Sequence, residues 1–310
     1  MLDLQNVAIR FGHGPEAVSD TSFHVDARKR TVVIGETGSG KSVLLLAILG
    51  LLPPSASIQG KILFEGEDLL ALRERQMERI RGAKIAYIPQ GSGNGLNPLY
   101  TVGRQIDESI RKHSRLSRAA ARSRTVALLE RFGIENAAER AKDYPFEFSG
   151  GMRQRALIAM GVAADAQLIL ADEPTKGLDQ SRIQSVIDAF HQLEDRTLLC
   201  VTHDLRLAKS LADSIVVMYA SQQIESGPGA DFFAHPLHPY SRAMLEALPE
   251  NGLQANMGFA PPRTNIDAQS ACHFLDRCPC KSEKCLRTPP LFALEDGRKV
   301  RCWNYADSAR

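Results

Sequence analysis

The sequence carries almost no net charge: over 310 residues, 38 Lys and Arg stand against 36 Asp and Glu, a formal +2. Such a balance argues against a nucleic-acid binder working through a basic face, because that face needs an excess of cations to neutralise phosphates. Long apolar runs are also missing. The longest, residues 43–52, is half of the roughly 20 residues that a membrane-crossing helix needs. The N-terminus, M-L-D-L-Q-N, has an acid where a secretion signal has Lys or Arg, and no long apolar stretch follows it. The chain is therefore expected to be soluble and intracellular. Cysteine is sparse until the tail: Cys200 stands alone in an apolar stretch and reads as a core residue, whereas Cys272, Cys278, Cys280, Cys285 and Cys302 crowd together near the end. In a reducing compartment such crowding reads as metal binding before it reads as disulfides. The length suggests about two domains.

What is present centres on G-E-T-G-S-G-K-S: Gly35, Glu36, Thr37, Gly38, Ser39, Gly40, Lys41 and Ser42, placed between an apolar run at 31–34 and an apolar helix at 43–51. This fits the phosphate-binding loop. Its glycines let backbone N–H groups turn inward around phosphate oxygens, Lys41 supplies a point charge, Ser42 can hold Mg2+, and the helix N-terminus adds its dipole.

Around the loop the chain alternates strands and helices, which implies a mostly parallel, covered sheet. Strands are expected at 2–10 and 21–25, as a hairpin, and at 57–64, 84–89, 168–171, 198–202, 214–219 and 222–226. Phe11 ends the first strand, where an aromatic either stacks on a base or anchors the core. A charged surface helix is expected at 69–81, and a helical insert follows Gln90, from the glycine-rich stretch at 91–95 to about Tyr144. Inserts of this kind are candidate contact surfaces. At Ser149 the chain reads S-G-G-M-R-Q into a helix, a second N-terminus suited to an anion. The strand at 168–171 delivers Asp172 and Glu173 at its end. Adjacent carboxylates leaving an apolar strand are rarely structural, since burial without partners is costly. Asp172 suits a Mg2+ shell and Glu173 a base that orients water. His203 ends the next strand, where it is expected to reach a γ-phosphate. From Pro249 the composition turns to Asn, Gly, Pro, Arg and Cys, marking a small loop-rich module.

With these segments in order, the chain resembles the ATP-binding subunit of an ABC transporter over about residues 2–226. The resemblance implies an α/β fold: an ABC-type P-loop nucleotide-binding domain with a mixed sheet core and a helical insert, followed by a small Cys-rich C-terminal extension. The domains would be 1–248, with the helical subdomain at about 91–164, and 249–310. By the same resemblance Phe11 stacks on adenine, residues 35–42 are the Walker A loop, and Gln90 is the Q-loop glutamine. Ser149, Gly150, Gly151 and Gln154 form the signature motif, Asp172 and Glu173 are Walker B and the catalytic base, Asp179 is the D-loop aspartate, and His203 is the switch histidine. Catalysis would fall to Glu173, His203, Gln90 and Lys41, and Mg2+ to Ser42, Gln90 and Asp172.

G-L-N-P-L-Y-T-V-G from Gly95, Y-P-F-E-F-S-G-G-M from Tyr144 and H-P-Y-S-R-A-M-L-E-A-L-P from His238 resemble the dipeptide, oligopeptide and nickel importer branch, as does C-H-F-L-D-R-C-P from Cys272. That branch implies an ATP-hydrolysing subunit of a bacterial importer for peptides, nickel or a related small solute, peripheral on the cytoplasmic face of the inner membrane. Its partners would be a second ATPase subunit, a copy or a paralogue arranged head to tail, two transmembrane permease subunits and, indirectly, a solute-binding protein, with no nucleic acid. A soluble ABC ATPase acting on nucleic acid or ribosomes is the alternative, but such proteins usually carry two cassettes or a long coiled coil. A metal or redox sensor built on the tail is a third reading. The tail is too poor in apolar residues to form a core by itself and needs a staple. Zn2+ and a [4Fe–4S] cluster would both accept four thiolates, and spacing does not choose between them. The resemblance implies the cluster, on Cys272, Cys278, Cys285 and Cys302 with Cys280 spare. No motif places this module beside Lys41 or Glu173, so its role is expected to be structural.

Overall fold

The computed structural model describes residues 1–91, 95–248 and 271–308. Residues 92–94 of the glycine-rich stretch and the change of composition at Pro249 lie outside the described residues. The elements run β1 (Leu2–Phe11), β2 (Glu16–Val25), β3 (Arg30–Ile34), α1 (Lys41–Ile48), β4 (Ala56–Phe64), β5 (Glu67–Asp68), α2 (Glu74–Ile80) and β6 (Ile85–Ile88). Then come α3 (Val102–His113), α4 (Arg118–Arg131), α5 (Ala137–Arg140), α6 (Gly150–Val162), β7 (Leu168–Asp172), α7 (Gln180–His191) and β8 (Thr197–Thr202). The rest is α8 (Leu205–Leu211), β9 (Ser214–Tyr219), β10 (Gln222–Pro228), α9 (Gly229–Ala234), α10 (Pro239–Glu246), β11 (Phe292–Ala293) and β12 (Lys299–Val300). The helix expected at 69–81 is shorter than its pattern: a 3-10 turn takes Leu69–Ala71, and α2 opens only at Glu74. Asp68 Oδ1 accepts the Leu70 N–H and Gln76 Oε1 accepts the Arg73 N–H, so side chains take the donors that a continuous helix would use.

The chain forms two compact units. The first comprises Met1–Val25, Thr31–Leu70 and Ala212–Arg310. Its strands run β5-β4-β1-β2-β10-β9-β3. β1 pairs antiparallel with β2 and β4, and β3 pairs parallel with β9 from Thr31↔Ser214 to Ile34↔Val217. Leu2, Leu4, Val7 and Ile9 are all buried, although their spacing slips by one residue after Leu4. A period of two would turn Val7 and Ile9 outward, and the slip is absorbed at Asn6, which takes φ 48° while both ladders shift register.

The C-terminal residues 271–308 belong to this unit. β12 pairs with β10 through Glu225↔Val300, and Leu237, Leu294, Val300 and Cys302 bury one another beside Tyr305. The Phe274 ring packs edge-on to Tyr219 at 5.4 Å and to Tyr240 at 5.7 Å. Arg301, 4% exposed, donates to the carbonyls of Gln223, Pro289 and Asp20 and to Asp20 Oδ2. The tail thus borrows a core from β9, β10 and α10, where a self-contained stapled module had been expected.

The second unit comprises Asp26–Arg30 and Ala71–Leu211. Here β6, β7 and β8 pair in parallel, and every residue of β7 is buried. Helix starts follow the sequence: Thr101, Ser117, Ser149 and Asp179 each accept a backbone N–H as the caps of α3, α4, α6 and α7. Val102, Ile106 and Ile110 form the buried stripe of α3. Among the described residues no helix is long and apolar enough to cross a membrane.

His238 caps α10 by accepting the Tyr240 N–H at Nδ1, 3.0 Å, and lies in the first unit with Glu225, Arg242 and Arg301 around it. Burial, with Arg242 adding to it, pushes this imidazole down from 6.5 to about 3, against a hydrogen bond to the Arg301 backbone. Below its ordinary pKa the unfolded chain binds a proton that the folded chain refuses, so stability present above about pH 6.5 is lost as the pH falls. His238→Asn keeps a capping oxygen and does not titrate. Urea unfolding at about pH 7 and pH 5 should show wild type losing about 2 kcal/mol more than the variant.

Candidate active site

The phosphate loop lies in the first unit. β3 ends at Ile34, and the chain turns at Gly35, where a Cβ would stand 2.0 Å from the Met218 carbonyl oxygen. At Gly40, φ 98°, a Cβ would stand 2.3 Å from the Ala17 carbonyl oxygen, so neither position admits a side chain. Thr37 and Gly38 form the exposed tip, and Ser42 sits half-buried in the first turn of α1. Lys41, 5% exposed, opens that helix, and its Nζ donates to the carbonyls of Gly35 at 2.8 Å and Glu36 at 2.9 Å. Ser39 is 2% exposed, and its Oγ is buried without a hydrogen-bond partner. A buried cation resting on carbonyls and an orphaned hydroxyl in one loop fit a polyanion's oxygens, which satisfy both. Phe11 is half-buried at the end of β1.

Glu36 is held from outside the loop, by Arg277 of the tail at 3.1 Å. The tail was expected to stand apart from this loop, and Arg277 corrects that. Its only trace in the sequence is a cation inside C-H-F-L-D-R-C-P.

The carboxylates lie in the second unit. Asp172 ends β7 and Glu173 follows it, 4% and 6% exposed. Glu173 adopts φ 45°, and its N–H donates to the Val201 carbonyl. Its Oε2 accepts the His203 N–H at 3.2 Å and lies 2.6 Å from His203 Nδ1. β7 and β8 are parallel neighbours, so Glu173 and His203 emerge together at their ends. Tyr87, on β6, donates its hydroxyl to Asp172 Oδ2 at 3.2 Å. Sequence reading missed this residue, although a Tyr inside an otherwise apolar strand signals a hydroxyl that needs a partner. Cys200 is fully buried, and burial, followed by the charges of Glu173, Asp172 and Asp204, pushes its thiol well up, in keeping with a core residue.

Also in the second unit, Gln90 is exposed just after β6. Ser149 is exposed and caps α6, Gly150 begins that helix, and Gly151 is buried against Arg182. Gln154 is 1% exposed with Nε2 lacking a partner, and Asp179 pairs with Arg182 Nε at 3.0 Å. Phe148, just before the cap, is buried.

All six cysteines are free. Among the described residues no group of three His, Cys, Asp or Glu side chains could hold a metal ion, so neither the expected [4Fe–4S] cluster nor its Zn2+ alternative finds a ready-made site. The thiols still feel one another. Burial first, then among its other influences the charges of Cys285, Cys302 and Cys278, pushes Cys272 up to about 11.

The pattern of the ABC transporter family matches residues 18–176, and the chain belongs to that family. A second pattern, the C-terminal region of oligopeptide/dipeptide transporters, matches residues 224–285. The chain is 38% identical to the oligopeptide transport ATP-binding protein OppD of Bacillus subtilis, over 98% of this chain and 88% of that one. It is 37% identical to the dipeptide transport ATP-binding protein DppD of Escherichia coli, over 100% of this chain and 98% of that one. A solved ATP-binding cassette, a dimer in a post-hydrolysis state bound to ADP and Pi, matches with a TM-score of 0.65 and 25% identity, over 74% of this chain and 98% of its own.

Tyr87→Phe removes a charge-assisted donor from a buried carboxylate. It should lower the unfolding free energy by about 1–2 kcal/mol, measured by urea denaturation at neutral pH.

Proposed function

We propose that this chain is the ATP-hydrolysing subunit of a bacterial importer that takes up peptides. The observation that carries the reading is the phosphate loop, where buried Lys41 and the unpartnered Ser39 Oγ await an anion. The matched C-terminal region and the relatives are named for oligopeptides and dipeptides, which favours peptides over nickel as the solute. Residues 35–42 cradle the phosphates and Phe11 stacks on the adenine. Ser42, Gln90 and Asp172 would hold Mg2+, which neutralises phosphate charge when bound. Glu173 orients and deprotonates the attacking water, and His203, bonded to Glu173, fixes that carboxylate's direction.

Ser149, Gly150, Gly151 and Gln154, with Asp179, serve the nucleotide of a second ATPase subunit, a copy or a paralogue. The exposure of Ser149 at the N-terminus of α6 favours this reading. Gln90 reports occupancy to the helical subdomain at about 91–164, within an ATPase domain of 1–248. Two transmembrane permease subunits receive the motion, with a solute-binding protein upstream, and the chain sits peripherally on the cytoplasmic face of the inner membrane.

Glu173→Gln should reduce turnover by about 10²- to 10⁴-fold while ATP still binds, read by phosphate release and by nucleotide retention. Hydrolysis within about tenfold of wild type would remove Glu173 from the role of base.

For the extension, 249–310, the proposal keeps a [4Fe–4S] cluster on Cys272, Cys278, Cys285 and Cys302. The closeness of these thiols supports it: Cys272, Cys278 and Cys302 are raised first by burial and in part by the charges of other cysteines of the tail. Protein purified without oxygen should be brown with about four irons per chain, and Cys278→Ser should bleach it where Cys280→Ser does not. Colourless, iron-free protein would rule the cluster out.

A further inference from the structure

Glu36 is gripped by two residues that follow β10. Arg277 Nη1 donates to Glu36 Oε1 at 3.1 Å and to the Tyr219 hydroxyl at 3.2 Å. A hydrogen bond from the Glu36 backbone reaches Tyr240. The Arg277 guanidinium is itself fixed, 5.6 Å from the ring centre of Tyr219 and 5.5 Å from that of Phe274. Its side chain is 16% exposed, against 34% for Glu36. A 3-10 turn over Leu275–Arg277, in which the Arg277 N–H donates to the Phe274 carbonyl, sets its starting point. The Glu36 carbonyl is also one of the two oxygens on which Lys41 Nζ rests. The tail's grip and the loop's cation therefore meet on one residue.

We infer that Arg277 is a positioning residue for the phosphate loop: by holding Glu36 it fixes the peptides from which Lys41 is aimed, and nucleotide affinity comes to depend on the C-terminal tail. The physical reason is the composition of the loop. Gly35, Gly38 and Gly40 leave its backbone a wide choice of conformations, and every conformation lost on binding weakens the complex. An anchor on Glu36 removes part of that choice beforehand. The inference rests on the loop binding a nucleotide, as proposed above.

The test is isothermal titration of full-length protein with ATP and Mg2+. Arg277→Gln should weaken binding about two- to fivefold, the range expected of a partly exposed charge pair, and Arg277→Lys should recover part of the loss. Glu36→Gln should weaken binding to a similar degree, and the double variant should be no worse than the single ones, because both remove the same contact. Thermal unfolding without nucleotide reports on folding. A loss of affinity in Arg277→Gln with the melting temperature unchanged supports positioning. Unchanged affinity, additive effects in the double variant, or a loss that follows a lowered melting temperature and is not relieved by Arg277→Lys would overturn it. Lys41→Ala keeps the two layers apart: if it binds ATP as wild type does, the nucleotide reading itself fails, whatever Arg277 does.

Discussion

The close approach of the Gly35 backbone to the Met218 carbonyl governs the phosphate loop. β3 and β9 are paired in parallel up to Ile34↔Val217, so both strands leave the ladder at the same level. The next residue on one side is Gly35 and on the other Met218, and a Cβ at Gly35 would stand 2.0 Å from the Met218 oxygen. Only glycine turns there. The loop that follows is compressed onto the end of β9, which is why Tyr219, one residue further, shares Arg277 with Glu36. The same compression carries Lys41 back over its own loop, to rest on the carbonyls of Gly35 and Glu36. A strand register thus sets where a charge stands.

The second unit solves a different problem, the burial of two adjacent carboxylates. Asp172 and Glu173 are both almost fully covered, and a desolvated carboxylate survives only with donors. Parallel pairing supplies them in order. β6 offers the Tyr87 hydroxyl to Asp172, and the end of β8 offers the His203 backbone and ring to Glu173. The positive φ of Glu173 turns its side chain out of the alternation of β7, so that neighbouring residues do not compete for one donor set. A base held in this way is oriented by the backbone and ring of one residue at the end of the neighbouring strand.

The loop was legible in the sequence because its constraints are local: glycines where a Cβ has no room, a Lys that opens a helix, a Ser in its first turn. The strand ends were legible too, since the apolar run of β7 stops at two acids and Pro174. The helix start at Ser149 was legible as well, a residue whose side chain caps in preference to continuing a helix. What escaped reading depends on contacts distant along the chain. Tyr87 meets Asp172 across 85 positions and Arg277 meets Glu36 across 241, so a polar group in its local pattern says that a partner is needed without saying which. The tail was misjudged for the same reason. Its own apolar content is low, but Phe274 and Val300 complete their burial against Tyr219, Tyr240 and Leu237, which belong to earlier elements.

Two arginines divide the work of that tail. Arg301 is buried, and each of its three side-chain nitrogens donates to a carbonyl or carboxylate, so its removal would strand several acceptors in the core. It stabilises the docking of the tail. Arg277 is partly exposed, and its partner Glu36 is more exposed still, so solvent screens the pair and leaves it about 1 kcal/mol or less of stability. A contact that weak does little for folding, yet it lies on the residue whose carbonyl receives Lys41. Its consequence is therefore geometric: it decides where the loop stands within a fold that Arg301 and the aromatic cluster already hold together.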